Sequence, residues 1–537
     1  MVTRPFFILF IACFLPVRGL FSQEIPFPHN LKAEGPSSID VLSSDTAQWW
    51  AGGRFQSLIS VNGDSTITSN GAEDLVLIRI GRDGQHWVWL GGSSLEDEWS
   101  DLSAAPAGDV YVAGSYWQAL SLGGDSLYAR GHPRALFLGR MRSDGVASWV
   151  ATLGGGGLKD IGSIATTPEG DLLVGGHFSD SLVMADTVLR AQGRTDAFAL
   201  RYSTAGEIQW ARSWGGRDDV RGTHIASGHS GEIYLTGWYD DELIVGDTTL
   251  FANTTDPDVF LMRLEGSGDV QWVEKAGGVF EEEPTGLIVD DTGSPVLTGF
   301  LVGRMTINGT LDIESRDGNA DIFVLRYAPD GRIQWARSVG GDQRQIPTGL
   351  HVSDGIVSVS GHFQKNLFTP VDTAEARGSF DGFLLQFDQN GQTTNLETFT
   401  TEEVLLPYCL TESPFNDQLI LGGTYTGSPD FGNGYLADAS QFIGFVTRLA
   451  GQTTTTNEPQ SPSVRIVAIP NPSTGRILLR GLPDREAVRV VDREGRTRWQ
   501  GQVNNQQLDL SHLPTGWYLL AFPAMDHPAI SVMIKPY

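Results

Sequence analysis

Residues 171–178 read Asp-Leu-Leu-Val-Gly-Gly-His-Phe, and residues 48–55 read Gln-Trp-Trp-Ala-Gly-Gly-Arg-Phe. Each is an apolar run, then a glycine, any residue and an aromatic. The unit recurs with its glycine at Gly53, Gly114, Gly176, Gly237, Gly299, Gly361 and Gly423, at successive spacings of 61, 62, 61, 62, 62 and 62 residues. A period held that closely is an architectural repeat. A second element keeps step: an alternating run carries Val76, Phe137, Phe198, Phe260, Phe323, Phe383 and Phe445. An acid usually stands two residues before it (Asp74, Asp196, Asp258, Asp321, Asp381), and an arginine usually three after (Arg79, Arg140, Arg201, Arg263, Arg326, Arg448). A third element is a tryptophan ahead of Gly-Gly: Trp87, Trp149, Trp210, Trp272 and Trp335. Asn395 takes that slot in repeat six, and repeat seven stops short of it.

Each period holds about four short runs rich in Val, Ile, Leu, Phe, Tyr and Thr, separated by Gly, Asp and Asn, the pattern of strands and turns. No run keeps a helical period for ten residues. The expected fold is all-β: a seven-bladed β-propeller over residues 23–450, followed by a small C-terminal β-sandwich. A four-stranded blade cannot bury both faces alone, and a radial stack buries them against neighbours. A linear β-solenoid is the alternative, but its repeats are usually much shorter. The last repeat ends near Leu449 without its tryptophan strand. A closed ring must borrow that strand, and Ile25–Leu42 is the obvious donor.

The 537 residues carry a formal charge of −27, with 19% charged and 40% hydrophobic residues. This is a globular balance, and its sign excludes nucleic acid or an anionic membrane as main partner. Acidity suits solubility, and it suits Ca²⁺; a solvated acidic surface is the simpler reading. No other cofactor is implied. Of two cysteines, Cys13 falls in the leader, which leaves Cys409 and no intrachain disulfide.

Residues 1–22 read as a secretory signal peptide: Arg4, an apolar run over Pro5–Val17, then Gly19-Leu20-Phe21-Ser22 before the cut. A lipoprotein signal ending at Cys13 is the rival reading. The apolar run is too short to span a bilayer, and no later stretch reaches that length. Residues 451–463 (GQTTTTNEPQSPS) form a Thr/Pro/Ser linker. Beyond it, residues 464–537 hold nine Lys/Arg and six Asp/Glu, a reversal of charge that marks a separate domain.

Two resemblances follow. Gln334-Trp335-Ala336-Arg337-Ser338-Val339-Gly340-Gly341, with Glu232-Ile233-Tyr234-Leu235-Thr236-Gly237, resembles the bacterial SBBP β-propeller repeat over roughly residues 40–450. That family implies the fold and no shared catalytic residues. The tail resembles the type A C-terminal sorting domain of the type IX secretion system of Bacteroidota, in three blocks. Pro470-Asn471-Pro472-Ser473-Thr474-Gly475 opens it; Val490-Val491-Asp492-Arg493-Glu494-Gly495-Arg496 follows; Leu508-Asp509-Leu510-Ser511-His512-Leu513-Pro514-Thr515-Gly516-Trp517-Tyr518 is third. Lys535 takes the terminal basic position. The resemblance implies the type IX machinery as partner, passage through the outer membrane, removal of the tail, and release or attachment at the cell surface.

Catalytic signals are sparse. Gly124-Asp125-Ser126-Leu127 spells a GDSL hydrolase block, but Gly63-Asp64-Ser65, Ala185-Asp186-Thr187 and Gly246-Asp247-Thr248 occupy the same slot in other repeats, so it reads as a turn. The chain holds no HExxH, CxxC pair or G-x-S-x-G. The periodic Asp and Arg, such as Asp196 with Arg201, read as blade-to-blade struts. The loops after each Gly-Gly differ and are mostly acidic, and by propeller topology they lead into the innermost strands. Glu98, Asp160, Asp219, Glu282 and Asp342 are therefore the candidate metal ligands at one channel mouth, with Trp99 as a stacking surface. The expected role is a non-catalytic binding, scaffold or adhesion module outside the cell, with a surface glycan or protein as ligand. The alternative is a secreted propeller enzyme acting on polysaccharide, which requires carboxylates converging on the channel.

Overall fold

Each strand run pairs with its sequence neighbour, and the pairing closes into radial sheets. The structure is a computed structural model. It describes residues 31–449 other than 34–36, 46–47, 62–65, 70–72, 82–85, 94, 130–133, 255, 416–417 and 432–438. In the tail it describes 467–469, 476–480, 487–491, 496–503, 507–514, 516–521 and 530–534. The leader and the 451–463 linker lie outside the described residues. No helix among the described residues is long and apolar enough to cross a membrane.

The body is a seven-bladed β-propeller. Blade three shows the pattern: Lys159–Thr166 pairs with Leu172–Phe178, then Asp196–Tyr202, then Ile208–Trp214. The first strand of each blade is innermost. These seven strands pack in order around the axis: Ser37–Ser44, Glu98–Ala105, Lys159–Thr166, Val220–Ser227, Glu282–Val289, Gln345–Ser353 and Val404–Glu412, the last against the first.

Every innermost strand carries one bulged residue: Asp40, Ser100, Gly162, Thr223, Thr285, Thr348 and Tyr408. The bulge explains the repeat glycine. The carbonyl two residues before it bends onto the neighbouring strand, and a Cβ at Gly53, Gly114, Gly176, Gly237, Gly299, Gly361 or Gly423 would overlap that oxygen. Only glycine admits so close an approach.

The periodic arginine and tryptophan join blades. Trp210 Nε1 and Arg201 Nη1 both donate to the Gly266 carbonyl of the next blade, at 2.9 and 3.4 Å. Trp149 and Arg140 do the same to Thr204 (3.2 and 3.2 Å), Trp272 and Arg263 to Pro329 (3.1 and 2.8 Å), and Trp335 and Arg326 to Gln389 (3.0 and 3.2 Å). Trp87 holds the same register opposite Arg79, and in that blade Trp89 donates to the Asp144 carbonyl. Blade six lacks the pair, and Asn395 there bonds Gln386, which stands in the arginine slot.

The Asp–Arg pairing expected from the sequence is corrected here. Asp196 accepts N–H groups from Gln192 and Gly193, and Asp381 from Arg377 and Thr401. These acids cap loops inside their own blade, while the arginines alone act as struts.

Closure uses the N-terminal segment. Blades two to six each send a hairpin back over the outer strand of the blade before it, as in the pairs Gly278↔Met305 and Gly341↔Leu367. The hairpin of blade one pairs instead with Leu31–Ala33, which packs on Ala439–Arg448 of blade seven. Among the described residues blade seven has no outer strand of its own, and Leu31–Ala33 stands at that edge. The rest of the expected donor divides: Ser37–Leu42 starts blade one, and residues 25–30 lie outside the described residues.

The tail forms two sheets. Val467–Ile469, Arg476–Arg480 and Gln507–Asp509 make one; Thr497–Gln502, Ala487–Val491, Gly516–Ala521 and Ile530–Ile534 make the other. Leu479, Val488, Val490, Leu510 and Leu520 are buried in their shared core.

Candidate functional site

Seven residues stand two positions before the bulges, at the mouth where every innermost strand begins: Ser38, Glu98, Asp160, Arg221, Glu283, Ile346 and Leu406. Their backbones are equivalent, each carbonyl resting on a repeat glycine. Their side chains are not held in common: one hydroxyl, three carboxylates, one guanidinium and two aliphatic chains. This ring is where the repeat stops repeating.

Around blades one to three the ring is a chain of ion pairs. Arg54 meets Asp40 (2.8 Å), Glu73 (3.2 Å) and Glu98 (4.0 Å); Arg134 meets Glu98 (3.5 Å) and Asp160 (2.7 Å). His177 stands 3.6 Å from Asp160. Burial drives its pKa down, against the pull of that carboxylate.

Blades four to six differ. Arg221 lies over the Trp238 ring at 4.9 Å, and Arg344 over the Phe300 ring at 5.8 Å. Glu283 has its pKa raised by burial and by Glu281 and drawn back by both arginines. His362 meets the edge of Phe380, its pKa lowered to about 4 by burial. A cavity of about 210 Å³, lined by Arg54, Glu73, Leu406, Tyr408 and Phe442, opens between blades seven and one.

The five expected metal ligands fall on five different blades. Glu98 and Asp160 belong to the ion-pair chain. Asp219 is buried against Arg194 and Thr195. Glu282 is fully buried, and its Oε2 accepts the Gly278 N–H at 3.1 Å. Burial raises its pKa to about 9, so it is protonated at neutral pH. Asp342 is exposed and accepts from Asn366 at 2.6 Å. Among the described residues, no three of these five share a site. The acids that do cluster are Asp218, Asp219 and Asp240, with oxygens within 4.8 Å of one another, and the Arg194 guanidinium pairs with all three.

The stacking role expected of Trp99 is corrected. Its indole is buried, donating to the carbonyls of Gly53 (3.0 Å) and Val76 (3.2 Å) and meeting Phe137 edge-on. Ser126 lies in the hairpin strand Asp125–Tyr128, behind a turn at Gly123 and Gly124.

Two inner rings went unread in the sequence. One residue beyond the bulge, Asp101 accepts the N–H of Ile164 at 2.9 Å, and Ser163 that of Ile225 at 2.7 Å, each on the next blade. Asp101, Ser163 and His224 occupy this slot on successive blades. Burial raises the Asp101 pKa to about 7 and lowers that of His224 to about 4. Asp101 and Ser163 staple neighbouring blades through these backbone N–H groups, while His224 Nδ1 lies 3.1 Å from the Thr223 hydroxyl of its own strand. Two residues beyond the bulge comes an aliphatic girdle: Leu42, Leu102, Ile164, Ile225, Leu287, Leu350 and Leu410. Its spacing near 61 was the available signal.

In the tail, the described part of the third block is a turn with its supports. Leu508 and Leu510 are buried, and between them Asp509 accepts from the Ser511 N–H (3.0 Å) and hydroxyl (2.6 Å). The Tyr518 hydroxyl donates to the Pro514 carbonyl at 2.9 Å. Gly516 begins the strand that carries Tyr518, and Arg496 directly precedes another, Thr497–Gln502. Pro470, Asn471, Pro472, Gly475, Asp492, Gly495 and Lys535 lie outside the described residues.

No family model matches the chain. It is 21% identical over 454 residues to an uncharacterized WD repeat-containing protein of Acanthamoeba polyphaga mimivirus, covering 68% of this chain and 32% of that protein. It is 27% identical over 146 residues to the regulatory protein FlaEY of Caulobacter vibrioides, covering 27% of this chain and 15% of that one. The chain thus spans about a third or less of these curated relatives. Among solved structures, a glucose dehydrogenase aligns over 79% of this chain and 99% of its own, at 9% identity and TM-score 0.31. PorZ, described as a surface component of the type IX secretion system of Porphyromonas gingivalis, aligns over 94% and 100% at 10% identity and TM-score 0.17.

Proposed function

We propose that the protein is an exported, non-catalytic binding module of the cell exterior, with the inner-strand mouth as its ligand surface. The observation that carries this reading is the ring Ser38, Glu98, Asp160, Arg221, Glu283, Ile346 and Leu406: equivalent backbone positions filled by a hydroxyl, three carboxylates, a guanidinium and two aliphatic side chains. Positions held in common across blades are spent on closure. Positions that diverge on a fixed frame are free to meet a ligand. The carboxylates on blades one to three are tied to guanidinium groups, which suits recognition of a polar, polyhydroxylated partner better than proton transfer. The Arg194 guanidinium pairs with all three acids of the cluster and so occupies the place a cation would take.

The leader and the tail supply the address. The reading is signal-peptide export followed by type IX secretion in a member of the Bacteroidota, with the 464–537 tail read by the secretion machinery. It rests on the order of the three tail blocks and on their place behind a linker. Expression of the full chain in a type IX-competent bacterium, in a secretion-null strain, and as a chain ending at residue 463 tests it. The full chain should reach the surface or medium only in the competent strain, and the shortened chain in neither. Cytosolic full-length protein with both ends intact refutes the address. Absence of binding to any glycan or surface protein refutes the role of the mouth.

A further inference from the structure

We propose that Arg221 and Arg344 form the receptor for a carboxylate-bearing saccharide, a uronate, held across blades four to six of the mouth. This rests on the mouth being the binding surface. The arginines of this face fall into two kinds. Arg54, Arg134 and Arg194 are held by carboxylates at 2.7–3.2 Å, which neutralise their charge and occupy their donors. Arg221 and Arg344 are held from beneath by aromatic rings. An aromatic face fixes a guanidinium plane while leaving its N–H fork unspent. Arg344 is exposed and has no hydrogen-bonded or ion-paired side-chain partner among the described residues. Arg221 has one carboxylate at the looser distance of 3.7 Å, and its Nε has no acceptor.

Glu283 selects among anions. Burial and the neighbouring Glu281 raise its pKa and both arginines draw it back, and its side chain makes no hydrogen bond or ion pair within 4.0 Å among the described residues. A sulfate or a phosphodiester offers only acceptors and leaves Glu283 facing like charge. A sugar acid offers a carboxylate to the guanidinium forks and hydroxyl donors to Glu283. The net charge of −27 works the same way. It repels a dense polyanion over the Debye length, while a single carboxylate on a sugar chain is short-ranged enough to be captured locally.

Isothermal titration of the full chain with glucuronate, galacturonate and mannuronate disaccharides tests this, beside their carboxyl-reduced neutral counterparts and heparin. The variants are Arg344→Gln, Arg221→Gln and, as control, Arg332→Gln on an exposed turn of blade five. Circular dichroism melting confirms that each is folded; Arg344 is exposed, so its variant keeps the test alive if Arg221→Gln unfolds. At least one uronate should bind, with affinity falling about tenfold or more in Arg344→Gln and in the neutral counterpart, and unchanged in Arg332→Gln. Equal binding of neutral and acidic sugars, insensitive to Arg344→Gln, overturns the uronate receptor and leaves the mouth reading standing. Tighter binding of heparin than of any uronate also overturns it. No binding by any of these saccharides overturns the uronate receptor, while the mouth reading falls only if surface proteins fail to bind as well.

Discussion

Replacing Gly206 by alanine tests whether the tryptophan of one blade is held rigidly over the turn of the next. Gly206 has φ +84°, and a Cβ there would lie 2.7 Å from the Trp149 ring. Gly231 is a built-in control. It closes the same kind of turn, its N–H bonding Gly228 as that of Gly206 bonds Ser203. Its φ is +85°, but the nearest atom to its Cβ is a Glu169 carboxylate oxygen at 3.9 Å. Both alanine variants carry the left-handed backbone penalty of about 1–2 kcal/mol. Only Gly206→Ala must also displace an indole that stacks on Tyr202 at 6.1 Å and donates to Thr204 at 3.2 Å. Overpacking of that kind adds about 1–3 kcal/mol. Guanidinium unfolding followed by far-UV circular dichroism should therefore give a lower midpoint for Gly206→Ala than for Gly231→Ala at similar slope. Adding Trp149→Leu to Gly206→Ala removes the clash, so the cycle should couple by about the same 1–3 kcal/mol. Equal midpoints, or an additive cycle, would refute the idea that blade-to-blade contact resides in this ring.

Glu282→Gln should flatten the pH dependence of stability. The buried carboxyl has its pKa raised from 4.5 to about 9, so its full contribution is present below 4.5 and erodes toward pH 9 by up to ~1.4 kcal/mol per unit. The glutamine, which already fills the same slot as Gln345 in the next blade, should be the more stable at pH 8; identical pH slopes would count against this. Arg194→Ala frees the Asp218, Asp219 and Asp240 cluster and should create a Ca²⁺-dependent rise in melting temperature absent from the parent. A parent that responds equally would show that the guanidinium is not filling that site. Tyr518→Phe removes the bond to the Pro514 carbonyl and should lower tail stability by about 1 kcal/mol, read as faster proteolysis within residues 507–521; unchanged cleavage would remove the tyrosine from the turn.

The fold was legible because closure repeats. Glycine at 61–62-residue spacing, tryptophan before Gly-Gly and the missing seventh outer strand all announced a ring before any contact was known. What each residue touches was not legible. The acid and arginine flanking each buried Phe keep a constant separation, yet Asp196 caps its own loop and Arg201 crosses to the next blade. Alternation along a strand sets the face a residue takes, and says little about the length a side chain travels. The acidic loops misled for a related reason. Arg54 and Arg134, which meet Glu98, come from other segments of the chain, so a window around Glu98 shows only one sign of charge; around Asp219 the neighbours Arg217 and Arg221 are visible, but the Arg194 that pairs with it is not. Trp99 looked available because it follows three residues of acidic loop, but it begins the buried face of an innermost strand.

The bulge connects these failures to the site. Because each innermost strand gains one residue, the carbonyl two residues before the bulge is pressed onto a glycine, and the backbone at the mouth is fixed by a contact that involves no mouth side chain. Stability and recognition are thereby separated within two residues. Gly237 holds the frame, and Arg221, whose carbonyl rests on it, is free to carry charge. The same separation explains why Ile346 and Leu406 can sit in the ring beside Glu98 and Asp160 without disturbing the propeller. A repeat of this kind therefore records its ligand only where equivalent positions disagree. On this chain they disagree most between blades four and six, where the arginines rest on aromatic rings and not on carboxylates.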